Sequence, residues 1–542
     1  MKTIKVLDCT LRDGGYINDW EFKQSNIKMI LNYLRESNVD VIECGFLSDK
    51  RAYDQEKSIF DTIERMKEVL PEDRGNSKYV CMVNYGEYNA KDIPDYDGTS
   101  VDGIRIAFHK KDLHEALELC REISKKGYMT FIQPMVTINY SDLELLKLAE
   151  TANEIMPFAL YIADSFGVMK KNDLLRIFYL LDHNVNEEIL IGYHAHNNLQ
   201  LAYSNAQALV NANTNRERII DSSVFGMGRG AGNLNTELFI QYLNDSLDKK
   251  YKVYPLLQII DKVLNKIYAK NYWGYSLPYY LSAAYNCHPN YASYLSEKNT
   301  LTIKSIQEIL GNIPMNKRSN FSKAFIEELY LDYQAHSIDD ILILNQLKEE
   351  FKDKEILVIA PGSSIEEYHD KVFEKSNRSD VVVISINFKP EKIKPDYIFI
   401  SNEKRYEKLY DDEAYLNGTI KLILTSNIKA KDEKAIKVDY LSLLNTIDDV
   451  RDNSTLMLLK LLQRIELEQV YIAGFDGYDL DQEKNYVKPD MTFTKDKDSI
   501  NRMNKGVSEE LFNLSKDIEI EFITPTRYNY KNDIVKSEVS YG

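Results

Sequence analysis

Eight short β-rich runs alternate with helical patterns over residues 4–226, and this alternation constrains the fold more than any other feature of the chain. The runs are IKVLDC (4–9), VDVIECGF (39–46), KYVCMV (78–83), DGIRIAF (102–108), YMTFIQPMV (128–136), FALYIAD (158–164), EILIGYHAH (188–196) and RIIDSSVFG (218–226). Between them lie stretches such as NIKMILNYLRESN and HEALELCREISKKG, apolar at helical spacing. Strands separated by helices pair in parallel. Eight of them can close on themselves and leave no unpaired edge. The pattern therefore predicts an α/β protein whose first domain, residues 1–240, is a (β/α)8 TIM barrel.

A chain of 542 residues is long enough for more than one domain. Residues 241–345 read as a mostly helical extension that completes the site, with the aromatic stretch NYWGYSLPYYLSAAYNCHPNYASYL. The charged segment LKEEFKDKE (347–355) marks a boundary. Beyond it, EILVIAPGSSIEEYHDKV, VVVISINF, DYIFIS, KLILTS and VYIAGFDGYD give about five strands over 355–542, a second α/β domain of the open, doubly wound, Rossmann-like kind.

The formal net charge of −16 argues against nucleic acid and anionic membrane surfaces as partners. The five cysteines are widely spaced with no C-x-x-C pair, so neither a disulfide framework nor a thiolate zinc site is expected, and a reduced, cytoplasmic setting fits. The first residues lack the apolar run of a signal peptide, and no stretch reaches the ~18 apolar residues of a membrane span. Assembly into a homo-oligomer is compatible with all of this.

Barrel active sites form where strands end at their C-terminal side, and the polar residues of this chain gather there. The seventh run ends in His194-Ala195-His196, two imidazoles on one face of a strand. Such a pair can hold one ion, or can be two unrelated core histidines. The first run ends in Arg12-Asp13-Gly14-Gly15, so Asp13 is a candidate third ligand and Arg12 a candidate partner for a developing oxyanion. Gly14 and Gly15 permit a tight turn or close backbone approach. Past the eighth run, DSSVFGMGRGAGNLNTE supplies a glycine-rich loop and Asn233, a neutral oxygen donor or substrate contact. Two His and one Asp without thiolate favour Mg²⁺, Mn²⁺ or Co²⁺ with open positions over a closed zinc site.

T-L-R-D-G at the first run, Ile42-Glu43 at the second, Ala163-Asp164-Ser165 at the sixth, H-A-H-N-N at the seventh and D-S-S-V-x-G-x-G…G-N at the eighth occur in this order. Over residues 1–300 the chain thus resembles the metal-dependent lyase and aldolase barrels that include 3-hydroxy-3-methylglutaryl-CoA lyase, isopropylmalate and homocitrate synthases and 4-hydroxy-2-oxovalerate aldolase. The resemblance implies a divalent ion on Asp13, His194 and His196. It implies enolate stabilisation by Arg12, and substrate contacts or site-shaping roles for Glu43, Arg105, His109, Asp164 and Asn233; ion pairing inside the barrel is the plainer reading of Glu43 and Asp164. It implies a 2-oxo acid such as pyruvate and an aldehyde as substrates, with the ion as Lewis acid.

The resemblance has departures. Where the hydroxy-oxovalerate aldolases carry a His after R-D-G, this chain has Tyr16, a proton donor rather than a base near neutrality. The base is then a water on the ion, His109 or His288. Tyr285 and Tyr291 lie where the aldolases place a catalytic tyrosine, in an ambiguous register; a structural hydrogen bond would equally explain His288. The glycine loop has no Cys, unlike the CoA lyases, and no allosteric domain is evident after residue 345, which shifts weight toward a pyruvate-type aldolase. An acyl-CoA Claisen-type acyltransferase or lyase is the alternative, and a nucleotide-sugar binding or transfer protein with a scaffold barrel is the reading from another class.

In the second domain, Ile359-Ala360-Pro361-Gly362-Ser363-Ser364 follows a strand and leads into a helix, a geometry that can receive an anion. With SINF, DYIFISN and AGFDGYD it loosely resembles sialyltransferase-like and pterin-pyrophosphokinase-like folds. That likeness places Gly362, Ser363, Asn387 and Asp476 at a nucleotide or nucleotide-sugar site; a degenerate interaction domain is the plainer reading. The pairing of the two domains suggests a sugar-modifying role in surface-polysaccharide biosynthesis.

Overall fold

The computed structural model describes residues 4–248, 250–410, 420–431, 434–480, 485–488, 491 and 495–528. The chain divides into two compact units, Met1–Ser293 with Leu310–Phe321, and Tyr294–Ile309 with Ser322–Gly542. Residues 241–345 are therefore shared between the units. Among the described residues no helix is long and apolar enough to cross a membrane, and all five cysteines are buried and free.

The first unit is a closed parallel barrel. Its strands are β1 (Ile4–Asp8), β2 (Val41–Leu47), β3 (Lys78–Asn84), β4 (Gly103–Phe108), β5 (Met129–Pro134), β6 (Ala159–Asp164), β7 (Leu190–Ala195) and β8 (Arg218–Ser222). Strand β1 pairs with β8 on one side, Ile4 opposite Arg218 to Asp8 opposite Ser222, and with β2 on the other, which closes the cylinder. A two-residue strand, Ile59–Phe60, adds to β2 outside the barrel. The helices between strands bury one stripe each. In α1 (Gln24–Glu36), Ile27, Ile30, Leu31 and Leu34 recur at i, i+3, i+4 and i+7 and are all buried. In α2 (Asp142–Ile155), Ser141 and Glu144 form a reciprocal capping box that sets the helix start. The crossover from β3 to β4 carries only a single 3-10 turn, Ala90–Asp92.

Inside the barrel the strand period of two stacks residues in layers. Leu7, Val41, Val80, Phe131, Ala159, Leu190 and Ile219 make an apolar layer. Two residues on along the same strands stand Glu43, Gln133, Tyr161 and Asp221, joined by Arg105 from β4, all buried. The strand ends above this polar layer carry the candidate ligands.

Among its described residues the second unit holds seven parallel strands: β9 (Glu355–Ile359), β10 (Val381–Ile386), β11 (Tyr397–Ile400), β12 (Lys421–Thr425), β13 (Ile436–Val438), β14 (Gln469–Ala473) and β15 (Glu519–Phe522). Their order is β13-β12-β11-β10-β9-β14-β15. Alternate residues of β9 enter different cores, Ile356 and Val358 one, Leu357 and Ile359 the other, so both faces of the sheet are covered. The order reverses between β9 and β14, and this is where ligand crevices of open α/β sheets form. The sequence pattern suggested about five strands. The two beyond that count, β13 and β15, are the edges: IKV is only three residues long and EIEF alternates charged with apolar residues, which weakens a hydrophobic signal and protects an edge.

Candidate metal centre

Asp13, His194 and His196 are buried together, and one potential ligand atom from each lies within 4.8 Å of the others. The end of strand β7 delivers both imidazoles, His194 within the strand and His196 just past it, with ring centroids 5.3 Å apart. Asp13 comes from the turn after β1. That turn depends on Gly15: a Cβ there would stand 2.0 Å from Cδ1 of Trp20. Gly15 is needed for space, since the indole packs over the turn and donates from Nε1 to the Arg12 carbonyl (2.7 Å).

Each histidine has its Nδ1 committed to a hydrogen bond, that of His196 also lying 3.9 Å from Asp13 Oδ2. His194 Nδ1 donates to Asp221 Oδ2 (3.0 Å), and His196 Nδ1 donates to the Arg229 carbonyl (3.2 Å). Those acceptors fix the tautomers, so both Nε2 atoms carry lone pairs available to a cation. Burial pushes the His196 pKa down to about 3, which keeps it neutral. Burial raises Asp13, but the Arg12 guanidinium beside it and the hydrogen bond from Asn233 outweigh it and hold the carboxyl well below its usual range.

A buried ionic chain connects two of the ligands. Arg12 donates to Asp13 Oδ1 (2.7 Å) and to Glu43 Oε2 (2.8 Å). Glu43 pairs with Arg105 (3.0 Å), and Arg105 donates to Gln133 (2.6 Å) and to Asp221, which holds His194. Tyr161 donates its hydroxyl to the other oxygen of Asp221 (2.8 Å). Three carboxylates, Asp13, Glu43 and Asp221, thus face two guanidiniums, and the surplus negative charge suits a cation. On the residues that touch Asp13, two buried polar atoms have no hydrogen-bond partner among the described residues: Arg12 Nη2 and Asn233 Oδ1. Asn233 is oriented by donation from Nδ2 to Asp13 Oδ2, which presents its free oxygen beside the ligand set. The donors and these orphaned atoms fit a divalent ion with positions left for a substrate.

The structure separates the expected site residues into groups. Arg12, Asp13, Asn233, His194 and His196 come together. Glu43 and Arg105, expected among substrate contacts, are 0 % exposed and tie the ligands to one another instead. Asp164 accepts from the backbone of Val168 (2.8 Å) and Met169 (3.0 Å) and shapes the loop after β6; burial pushes its pKa up to about 7. Tyr16 packs on Trp20 (4.7 Å) and Phe46 (6.2 Å), is 40 % exposed, and is raised above the ordinary tyrosine pKa mainly by desolvation. His109 is half-buried, and desolvation lowers its pKa. His288 stacks on Phe321 and meets Phe166 edge-on; burial brings its pKa to about 3, and its Nδ1 accepts from the Asn290 backbone (3.2 Å). Tyr285 lies against Gly311 and forms no hydrogen bond or ring contact with the cluster. Tyr291 is fully buried and donates to the carbonyls of Lys317 (3.0 Å) and Asn320 (2.6 Å), a structural use of its hydroxyl.

Two participants carried no assigned role in the sequence. Asp221 lies in the eighth run two residues after Ile219, so the strand period was the signal that could have placed it inward. Arg229 sits among the loop glycines; only the loop's folding over Tyr16 brings it to the site.

In the second unit, Gly362, Asn387 and Asp476 line one cavity of about 190 Å³ at the reversal of strand order, with Asn402 and Ser454. Ser363 belongs to the same turn, and Asp476 accepts from the backbone of Ser364 (2.9 Å).

Residues 3–263 match the HMGL-like family model. The chain is 28% identical over 247 residues to a 4-hydroxy-2-oxovalerate aldolase of Geobacillus genomosp. 3, covering 45% of this chain and 71% of that one. It is 33% identical over 247 residues to a 4-hydroxy-2-oxovalerate aldolase of Pseudoalteromonas translucida, covering 45% and 70%. Among solved structures, hydroxymethylglutaryl-CoA lyase from Pseudomonas aeruginosa aligns with 15% identity and a TM-score of 0.38 over 48% of this chain and 91% of that one.

Proposed function

Since the chain belongs to the HMGL-like family of aldolases and lyases, we propose that it makes or breaks the carbon–carbon bond of a 4-hydroxy-2-oxo acid through the enolate of a pyruvate-type 2-oxo acid. The observation that carries this reading is the unpaired, buried Nη2 of Arg12 beside the Asp13, His194 and His196 cluster. A divalent ion held by those three residues, Mn²⁺, Mg²⁺ or Co²⁺ by its N/O donor set, would act as Lewis acid toward the carbonyl of the 2-oxo acid.

The chain's own groups supply the rest. Arg12 is fixed by two carboxylates and offers its third nitrogen to the oxygen on which negative charge develops. Tyr16, with its raised pKa, stays protonated and can donate to the alkoxide of the aldehyde partner. His288 accepts at Nδ1, so its neutral form carries the proton on Nε2 and acts as a donor. His109 has no side-chain hydrogen bond among the described residues, and its lowered pKa leaves a free lone pair near neutrality. We assign it the proton-accepting role.

The test is cleavage of 4-hydroxy-2-oxovalerate, with pyruvate and acetaldehyde measured as products. Activity that disappears on chelation and returns with Mn²⁺, Mg²⁺ or Co²⁺ supports the reading. Release of free coenzyme A from an acyl-CoA, with no cleavage of the hydroxy-oxo acid, would favour Claisen chemistry instead.

For the second unit we propose a small polar ligand, such as a nucleotide or nucleotide sugar, in the cavity lined by Gly362, Asn387 and Asp476. Its support is the cavity's position at the reversal of strand order and the buried, unpartnered Oδ1 of Asn387. Calorimetric titration with uridine diphosphate and with its sugar conjugates, in wild type and Asn387→Ala, tests it.

A further inference from the structure

Arg229 is a half-buried guanidinium that forms no ion pair among the described residues, at the mouth of a site where every other inward arginine is paired. Its Cζ lies 5.5 Å from the centre of the Tyr16 ring, and its Nη2 reaches the Ser165 carbonyl only at 3.5 Å. Its carbonyl accepts from His196 Nδ1 (3.2 Å), which places the residue beside the ligand cluster, between the ends of β6 and β7 and the turn after β1. Tyr16 and Arg229, unlike the buried ligands, keep solvent exposure, so they stand between the cluster and bulk water. The backbone is pinned: the Arg229 carbonyl accepts from His196 and from Gly232 (3.2 Å), and Asn198 accepts from Ala231 (2.8 Å).

A guanidinium in this position, over a tyrosine ring and with no carboxylate partner among the described residues, is a receptor lacking its anion. Arg12 is already committed to Asp13 and Glu43 next to the cluster, where the 2-oxo acid would lie. Arg229 is half-buried and lies over the part-exposed Tyr16, on the side of the cluster that a second substrate could approach from solvent. Resting on the aldolase reading, we propose that Arg229 selects an aldehyde partner carrying a negative charge, a carboxylate or a phosphate ester, by charge-assisted hydrogen bonding to its distal end.

The experiment compares aldol addition of pyruvate to pairs of aldehydes in metal-loaded wild type, Arg229→Gln and Arg229→Lys. Succinic semialdehyde is set against butanal, and glyceraldehyde 3-phosphate against glyceraldehyde; the two pairs separate the carboxylate from the phosphate. In wild type, kcat/KM favours the anionic member of at least one pair. In Arg229→Gln that preference falls by roughly 10- to 100-fold, the range expected for one charge-assisted contact, and Arg229→Lys restores part of it. Calorimetric titration of glycerol 3-phosphate and of succinate, in wild type and Arg229→Gln, gives a readout that needs no turnover. Loss of binding in the variant supports the proposal. Equal losses for charged and neutral aldehydes, or a variant that fails to bind pyruvate, would overturn it, the latter by assigning Arg229 to the 2-oxo acid. Wild type that cleaves 4-hydroxy-2-oxovalerate but shows no charge preference overturns this inference alone; wild type inert toward every 2-oxo acid overturns the aldolase reading and this inference with it.

Discussion

His194 Nδ1 stands 3.0 Å from Oδ2 of Asp221, and Asp221 is in turn held by Arg105 and by the Tyr161 hydroxyl. One carboxylate therefore sets the tautomer of a candidate metal ligand and ends a buried chain that begins at another ligand, Asp13. Replacing it with an amide removes a charge that two groups share. Asp221→Asn should weaken divalent-metal affinity by roughly 10- to 100-fold, read by calorimetric titration of Mn²⁺. It should also cost about 3–5 kcal/mol of stability, because Arg105 loses a buried partner; a urea melt of the metal-free protein measures that separately.

Arg12 acts through geometry as well as charge. Lysine at this position keeps the positive charge but cannot bridge Asp13 and Glu43 and still offer a third nitrogen. Arg12→Lys should lower kcat for cleavage of the hydroxy-oxo acid by about 10²–10³ with a smaller change in KM. A change confined to KM would show that Arg12 binds substrate without stabilising the enolate.

The turn that carries Asp13 has no room for a side chain at residue 15. In Gly15→Ala the new Cβ would collide with Trp20, whose indole also holds the Arg12 carbonyl. A stability loss of about 1–3 kcal/mol, seen as a lower denaturation midpoint with unchanged slope, is expected.

The sequence already carried the barrel, because eight apolar runs with helical spacers leave few alternatives. It also carried Asp13 and the His194 and His196 pair, because strand ends and the period of two place them without knowledge of packing. What it did not carry are relationships across the cylinder. Arg105 looks like a polar substrate contact on a list of strand residues, and Glu43 reads either as such a contact or as an ion pair inside the barrel; the closure of β1 on β2 and β8 shows both enclosed and paired. Arg229 is one cation among loop glycines until the loop folds onto Tyr16. The edge strands β13 and β15 escaped because strands at the rim of a sheet need little hydrophobicity.

Asp8 provides a pH test away from the metal ligands. It is buried, accepts from Thr10 and Thr236, and desolvation raises its pKa to about 6. A raised folded-state value means the contribution is fully present below the unfolded carboxyl range, near pH 4, and is lost as pH rises through about 6. Relative to Asp8→Asn, wild type should therefore lose on the order of 3 kcal/mol between pH 4 and pH 8. Urea unfolding of both proteins across that range measures the difference; parallel curves would show that Asp8 does not titrate there.

The central claim is that Asp13, His194 and His196 hold one divalent ion that serves enolate formation. The direct measurement is metal content by elemental analysis together with deuterium incorporation at C3 of pyruvate in heavy water, for wild type and His194→Ala. Wild type should retain about one ion per chain and exchange the C3 protons, and both properties should be lost in the variant and, for exchange, on chelation. Exchange that persists in metal-stripped wild type, or that survives intact in His194→Ala, would contradict the account.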